Sequence, residues 1–257
     1  MKPKKTFLVF TSAGDNANLG MWLNGHRNFD LCIAYYGNET DRYKGLTPYY
    51  FQNKDTKFPN LLLWHRNNPG FLQQYAAIMV MDDDIILSCA DINQLFKWQQ
   101  KMDLWLLQPA FSPKGKISHV NTTHKPEYEL RYTNFVEMTS PIFRTDKLLS
   151  FLKVFDPSLK GWGTDYWFVQ HLGETQDHIA IIDAVTCVNP LNETKPGGKR
   201  EIDQFQSTKK RRQTWFDLAN KLGLQPTTKI EIYREIKKSF VWRYYSSLLH
   251  HLSMKRR

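Results

Sequence analysis

Three consecutive carboxylates, Asp82, Asp83 and Asp84, follow the run Ala76-Ala77-Ile78-Met79-Val80-Met81. The run is short, apolar and bounded by polar residues, which predicts a buried strand. Adjacent charges at the end of such a strand repel one another and require water, a cation or basic partners. In an extended chain Asp82 and Asp84 share a face. Carboxylates so placed can wrap a hard cation such as Mg²⁺ or Mn²⁺, and that cation can neutralise a departing diphosphate. The triplet therefore points to a nucleotide or another phosphate-bearing ligand; the competing reading is a solvated acidic turn.

Two further segments carry chemistry. In Gly161-Trp162-Gly163-Thr164-Asp165-Tyr166-Trp167 the glycines let backbone pass close to a ligand, and Trp162 offers a flat face for a sugar ring. Asp165 opens a helix, where its charge is favoured, and could take a proton from an attacking hydroxyl. It could equally be a helix cap between core tryptophans. In Phe135-Val136-Glu137-Met138-Thr139 one acid sits among apolar residues. A buried Glu137 needs either a partner, such as Arg131 or Arg144, or a raised pKa.

Other chemistries are excluded by what is missing. The eight histidines show no metal-ligand spacing, and neither a P-loop nor a Gly-x-Gly-x-x-Gly stretch occurs. Cys32, Cys89 and Cys187 lie too far apart for a zinc spacing and suit no disulfide framework, which fits a reducing, cytoplasmic setting. The sequons at Asn38, Asn121 and Asn192 then read as chance matches. After Lys4-Lys5 the N-terminus has only Thr6-Phe7-Leu8-Val9-Phe10, shorter than the roughly 7–15 apolar residues of a signal core, so a first strand is expected there.

Charge divides the chain. Residues 1–194 hold 19 Lys and Arg against 20 Asp and Glu; residues 195–257 hold 16 against 5. The front reads as a near-neutral globular domain. The back reads as a basic appendage seeking an anionic surface. No nucleic-acid recognition motif accompanies it.

The elements that must position these groups alternate. Strands are expected at Thr6–Phe10, Asp30–Tyr36, Ile78–Met81, Leu104–Leu107 and Ile179–Asp183. Helices are expected near Asn16–Asn24, from Ser88, over Lys147–Phe155 and from Gly161 to about His171. Asp41–Pro59 reads as a loop. This pattern predicts an α/β domain. Lys195–Arg212 reads as a basic loop. In Lys229–Leu252 apolar residues recur every three or four positions, predicting a basic amphipathic helix or helix pair that suits the inner face of an anionic membrane.

In order, Ala13-Gly14-Asp15, Tyr35-Tyr36-Gly37, Lys54 to Asn60, Met81 to Ile85, Phe135 to Phe143, Gly161 to Asp165 and Ile181 to Asp183 resemble the domain-of-unknown-function 707 family. That family looks like glycosyltransferases of the GT-A fold, a Rossmann-related mixed sheet flanked by helices. The resemblance covers residues 5–195; together with the charge division it gives three regions: a catalytic domain over 1–195, a basic loop and short helix over 196–228, and the basic helical tail over 229–257. It implies transfer of a sugar from a nucleotide-diphosphate donor to a hydroxyl of a glycan or lipid-linked glycan, as in polysaccharide biosynthesis. On it Asp82 and Asp84 match the Asp-x-Asp motif that contacts ribose and the Mn²⁺- or Mg²⁺-bound diphosphate, with Asp83 beside them. Thr11, Ala13, Gly14, Asp15 and Tyr36 would line the nucleoside pocket, and Lys57 would contact the nucleotide or its phosphates. Asp165 matches the base of an inverting transfer; Glu137, Trp162 and Gly163 would shape the acceptor pocket. The sequence departs from the pattern at Asn189, which stands where the family commonly offers a His to the metal. A non-catalytic nucleotide or sugar binder at a membrane, and a metal-dependent phosphoryl or nucleotidyl transferase, are the competing functions.

Overall fold

The computed structural model describes residues 6–173, 175–191, 203 and 206–238. A nine-stranded mixed sheet runs through them. Its strands are β1 (Phe7–Ala13), β2 (Phe29–Tyr35), β3 (Tyr49–Gln52), β4 (Ala77–Val80), β5 (Leu106–Phe111), β6 (Tyr128–Thr133), β7 (Ile142–Arg144), β8 (Ile179–Cys187) and β9 (Ile232–Lys237). Their spatial order is β3-β2-β1-β4-β7-β5-β8-β6-β9. The first four are mutually parallel. β7 runs antiparallel between β4 and β5, and β5 and β8 are parallel. The helices are α1 (Leu19–Leu23), α2 (Lys57–Asn67), α3 (Cys89–Lys101), α4 (Thr145–Val154), α5 (Thr164–Leu172) and α6 (Thr208–Leu222).

β1 is buried along its whole length, as expected of a parallel strand covered on both faces. Its alternation feeds two cores. Phe7 and Val9 point to the face covered by α1 and α3, where Phe7 stacks on Phe96. Leu8 and Phe10 point to the face covered by α2, α4, α5 and α6. On that second face Phe58, Phe143, Phe151, Phe155 and Phe168 form one aromatic cluster. Each such ring pair contributes about 0.5–1.5 kcal/mol beyond simple burial. The cluster fixes α5, whose first turn carries Asp165. On the first face α3 starts with a capping box: the Ser88 side chain accepts from the Asp91 N–H, and the Asp91 carboxylate accepts back.

Several expectations change here. The polar stretch Asp41–Pro59 contains β3 and the start of α2. The basic loop expected to reach Arg212 has become helix by Thr208. Most of all, the helix expected over Lys229–Leu252 begins as strand β9. β9 pairs antiparallel with β6, Leu130 opposite Ile236 and Tyr132 opposite Arg234. β6 would otherwise leave an open edge, and the β-favouring Ile232, Tyr233 and Ile236 close it. The sheet thus draws a strand from beyond residue 195. Residues 239–257 of that tail, and 195–202 and 204–205 of the basic loop, lie outside the described residues. Among the described residues no helix is long and apolar enough to cross a membrane.

Candidate active site

The parallel strands β1 and β4 are neighbours whose connections leave in opposite directions, β1 to β2 on one side and β4 through α3 to β5, beyond β7, on the other. Open α/β sheets bind ligands outside the carboxyl ends of strands at such a reversal. Both acidic and glycine-bearing segments arrive there. Asp82–Asp84 follows β4, and Gly14-Asp15 follows β1. A cavity of about 430 Å³ opens at this point. Its walls bring together Asp82, Asp83, Asp84, Glu137, Trp162 and Asp165, which lie as much as 83 positions apart in sequence.

The triplet is held by protein donors. Asp83 accepts the Gly14 N–H at 2.7 Å and the Tyr36 hydroxyl at 3.3 Å, so it ties together the ends of β1, β2 and β4. Asn18 anchors the same turn through the carbonyls of Asp83 and Asp84. Asp82 Oδ1 lies 2.7 Å from Lys57 Nζ. Lys57, in the first turn of α2, also donates to the carbonyls of Met138 (2.6 Å) and Thr139 (3.1 Å). An ammonium has three protons, and these three acceptors account for them. Lys57 thus reaches the cavity as the partner of Asp82; the resemblance implied a contact with the nucleotide or its phosphates. Burial lowers its pKa, against the upward pull of Asp82, Asp84 and Asp83.

Asp165 is buried in the first turn of α5. Burial pushes its pKa up to about 6; backbone N–H groups of Tyr166, Met138 and Asp165 itself, then the Lys57 charge, oppose that rise. Met138 therefore stands between Lys57 and Asp165, its carbonyl accepting from Lys57 and its N–H facing the Asp165 carboxylate. Gly163 precedes Thr164 at φ +93°, and a Cβ there would sit 2.1 Å from the Trp215 ring. Glycine is required on both counts.

Among the described residues Glu137 has no arginine partner. Arg131 is committed to Asp183, at 2.7 Å in a fully enclosed pair, and Arg144 to Asp146 and Asp103. Glu137 accepts the Thr122 hydroxyl, and its own N–H donates to Gln108 Oε1 at 2.6 Å. Burial pushes it up to about 8; the Thr122 hydrogen bond opposes this, and Asp165 and Asp82 reinforce it. Of these two carboxyls, Glu137 is pushed up further than Asp165, so as pH rises Asp165 gives up its proton first.

The remaining sequence candidates divide. Tyr36, Gly163 and Asn189 line the cavity. Asn189 is brought to the triplet by a bridge in which Ile86 and Val188 exchange backbone hydrogen bonds of 3.0 and 3.1 Å. Thr11 and Ala13 are fully buried inside β1. Gly14 and Asp15 shape the turn, Asp15 accepting the Tyr35 hydroxyl. The segment reaches the cavity instead through Ser12 and Asn16. Sequence reasoning also missed Lys116, His119 and Arg211 on the walls. Arg211 had a readable signal: it shares a helical stripe with Trp215 and Ala219, and all three are buried.

A cation could be held here only in part by the protein. Among the described residues no three His, Cys, Asp or Glu side chains converge as a metal group. Asp82, Asp84 and Asn189, all oxygen-bearing, are among the cavity's lining residues. Mg²⁺ is commonly held by one or two carboxylates with substrate phosphates and water completing its shell. The residues fit a cation that arrives with a diphosphate.

The architecture matches solved structures. The chain aligns with S. aureus TarS at a TM-score of 0.54 and 11% identity, over 84% of this chain and 40% of that one. The fold is GT-A. With TarS 1-349 in complex with UDP the score is 0.51 at 10% identity, over 73% and 61% of the two chains. With the UDP-GlcNAc complex it is 0.50 at 11% identity, over 84% and 67%. This chain therefore spans 40% to 67% of the length of these GT-A structures. No protein-family model matches it, and no curated protein sequence does. The 707-family resemblance rests on its motifs.

Proposed function

We propose that the protein is a glycosyltransferase that moves a sugar from a nucleotide-diphosphate donor to a hydroxyl of a glycan or lipid-linked glycan. One observation carries this reading. In one cavity at the sheet's reversal, two carboxylates are tuned apart, Asp165 to about 6 and Glu137 to about 8, facing an acidic turn. Titratable neighbours pushed apart by their surroundings mark acid–base assignments. The TarS structures with UDP and UDP-GlcNAc support a nucleotide-sugar donor on this fold.

In the mechanism, the nucleoside diphosphate lies over the ends of β1 and β4, against Ser12, Asn16, Tyr36 and the triplet turn. Asp82, Asp84 and Asn189 would hold Mg²⁺ or Mn²⁺; bound there with the diphosphate, the cation offsets the leaving group's charge. Asp165, ionised above about pH 6, removes the acceptor hydroxyl's proton as that oxygen attacks the anomeric carbon. This is an inverting transfer. Neutral Glu137 donates a hydrogen bond to the acceptor, and Trp162 stacks on its ring. Lys57 keeps Asp82 and the Met138 peptide in register with Asp165. The excess positive charge of residues 195–257 supports work beside an anionic membrane.

The test is a thermal-shift panel of nucleoside diphosphates with Mn²⁺, Mg²⁺ or chelator, followed by donor turnover. One nucleotide should raise the melting temperature, and folded Asp84→Asn and Asp165→Asn variants should lose turnover. Wild-type turnover in both variants would refute the proposal. Intact nucleotide sugar after hours with active acceptor would leave a non-catalytic binder.

A further inference from the structure

The first turns of α6 build a second surface beside the cavity. Lys209, Arg212, Gln213 and Phe216 fall on one helical face and line a shallow hollow. Thr208 lines both hollow and cavity. The two are also joined by a ring stack: Trp162 of the cavity wall lies 5.8 Å from Phe216, with planes 18° apart. The Arg212 guanidinium sits over both rings, its Cζ 5.3 Å from the Trp162 centroid and 5.6 Å from that of Phe216.

This is a pair of near-parallel rings with a cation beside both. Aromatic pairs bind the apolar faces of sugar rings. A guanidinium held over rings keeps its N–H edges for an acceptor, and its side-chain entropy is already reduced. Among the described residues neither Arg212 nor Lys209 has a carboxylate partner. The nearby Asp217 accepts from Gln213 Nε2 at 2.7 Å. A neutral sugar would leave both charges unanswered, whereas an anionic one would satisfy them.

We infer that this hollow is an acceptor subsite for a negatively charged sugar, whose ring stacks at Trp162 and Phe216 and whose anionic group is taken by Arg212 and Lys209. The inference rests on the transferase reading above. A carboxylate and a phosphate present the same chemistry to a guanidinium fork, so both enter the test.

Three soluble probes would be titrated into the full chain: a neutral glucose trisaccharide, trigalacturonate, and a phosphorylated glucose trisaccharide. At least one anionic probe should bind about 10-fold tighter than the neutral one, with the gap closing at high salt; which one does so identifies the anion. Arg212→Gln should abolish the gap, its unfolding midpoint confirming that it folds. Lys209→Gln should narrow it. Equal affinity for all three probes, or a gap that survives in Arg212→Gln, overturns the subsite. So does binding to phosphatidylcholine–phosphatidylglycerol vesicles with none to any trisaccharide. A nucleotide thermal shift alongside any of these failures leaves the transferase reading standing. Loss of both probe and nucleotide binding overturns the two together.

Discussion

Asp165→Asn separates stability from catalysis with a magnitude set by the site. In the folded protein Asp165 holds its proton up to about pH 6. In the unfolded chain it loses it near pH 4. At 1.36 kcal/mol per pH unit, folding therefore carries a cost of about 3 kcal/mol at pH 7 from this group alone. The sign follows from proton binding. Between about pH 4 and pH 6 the folded state binds more protons, so wild-type stability falls as pH rises, and below pH 4 the cost is absent. Asparagine has no such dependence. Its amide adds an offset, because three backbone N–H groups now face one acceptor oxygen instead of two; that mismatch costs about 1–3 kcal/mol at every pH. The stability difference between variant and wild type should thus move in the variant's favour by about 2 kcal/mol between pH 4 and pH 7, whatever the offset. Near pH 7 the net gain is about 0–2 kcal/mol, and each kcal/mol raises the melting temperature by about 2–4 °C. Denaturant unfolding of both proteins at pH 4, 5, 6 and 7 measures this. A flat difference, or one that favours wild type as pH rises, would refute the environment assigned to Asp165. Turnover should fall about 10²–10⁴-fold in the same variant.

Other consequences follow from the same geometry. The pH profile of kcat/KM should rise through a limb near pH 6 and fall through one near pH 8, belonging to the coupled Asp165–Glu137 pair. Lys57→Met should move the acid limb to higher pH, because the lysine charge holds Asp165 down. With Asp82 partly solvated, it should cost only about 1–3 kcal/mol in denaturant unfolding. Gly163→Ala should destabilise by about 2–4 kcal/mol, combining left-handed strain with a clash on Trp215, visible as a lowered unfolding midpoint. Arg131→Met should cost about 3–5 kcal/mol by leaving Asp183 charged and enclosed, with denaturant unfolding as the check.

Much of this was legible in order along the chain. The apolar run before Asp82 read as a buried strand because it is short and bounded by polar residues. Ser88 and Asp91 announced α3 through local capping chemistry. The two glycines before Asp165 signalled a tight turn into a helix. Hydrophobic period, caps and turn residues act over a few positions, so a sequence displays them directly. The chemistry-bearing types, three acids after a strand and one at a helix start, were visible for the same reason.

What the structure alone decided is which groups meet. Lys57 lies 25 positions from Asp82 and 81 from Met138, and no local pattern says that its three protons are spent on them. Glu137 went unpaired because Arg131, six residues away in sequence, belongs to Asp183 on a neighbouring strand. Its high pKa is a property of that enclosure. Residues 232–237 carry spacing that suits a helix, yet the open edge of β6 supplied backbone partners that a free helix could not match. Residue types and local period were determined by the sequence itself. Protonation state, ion-pair choice and sheet membership were set by distant partners, since burial and Coulomb interaction depend on distance in space.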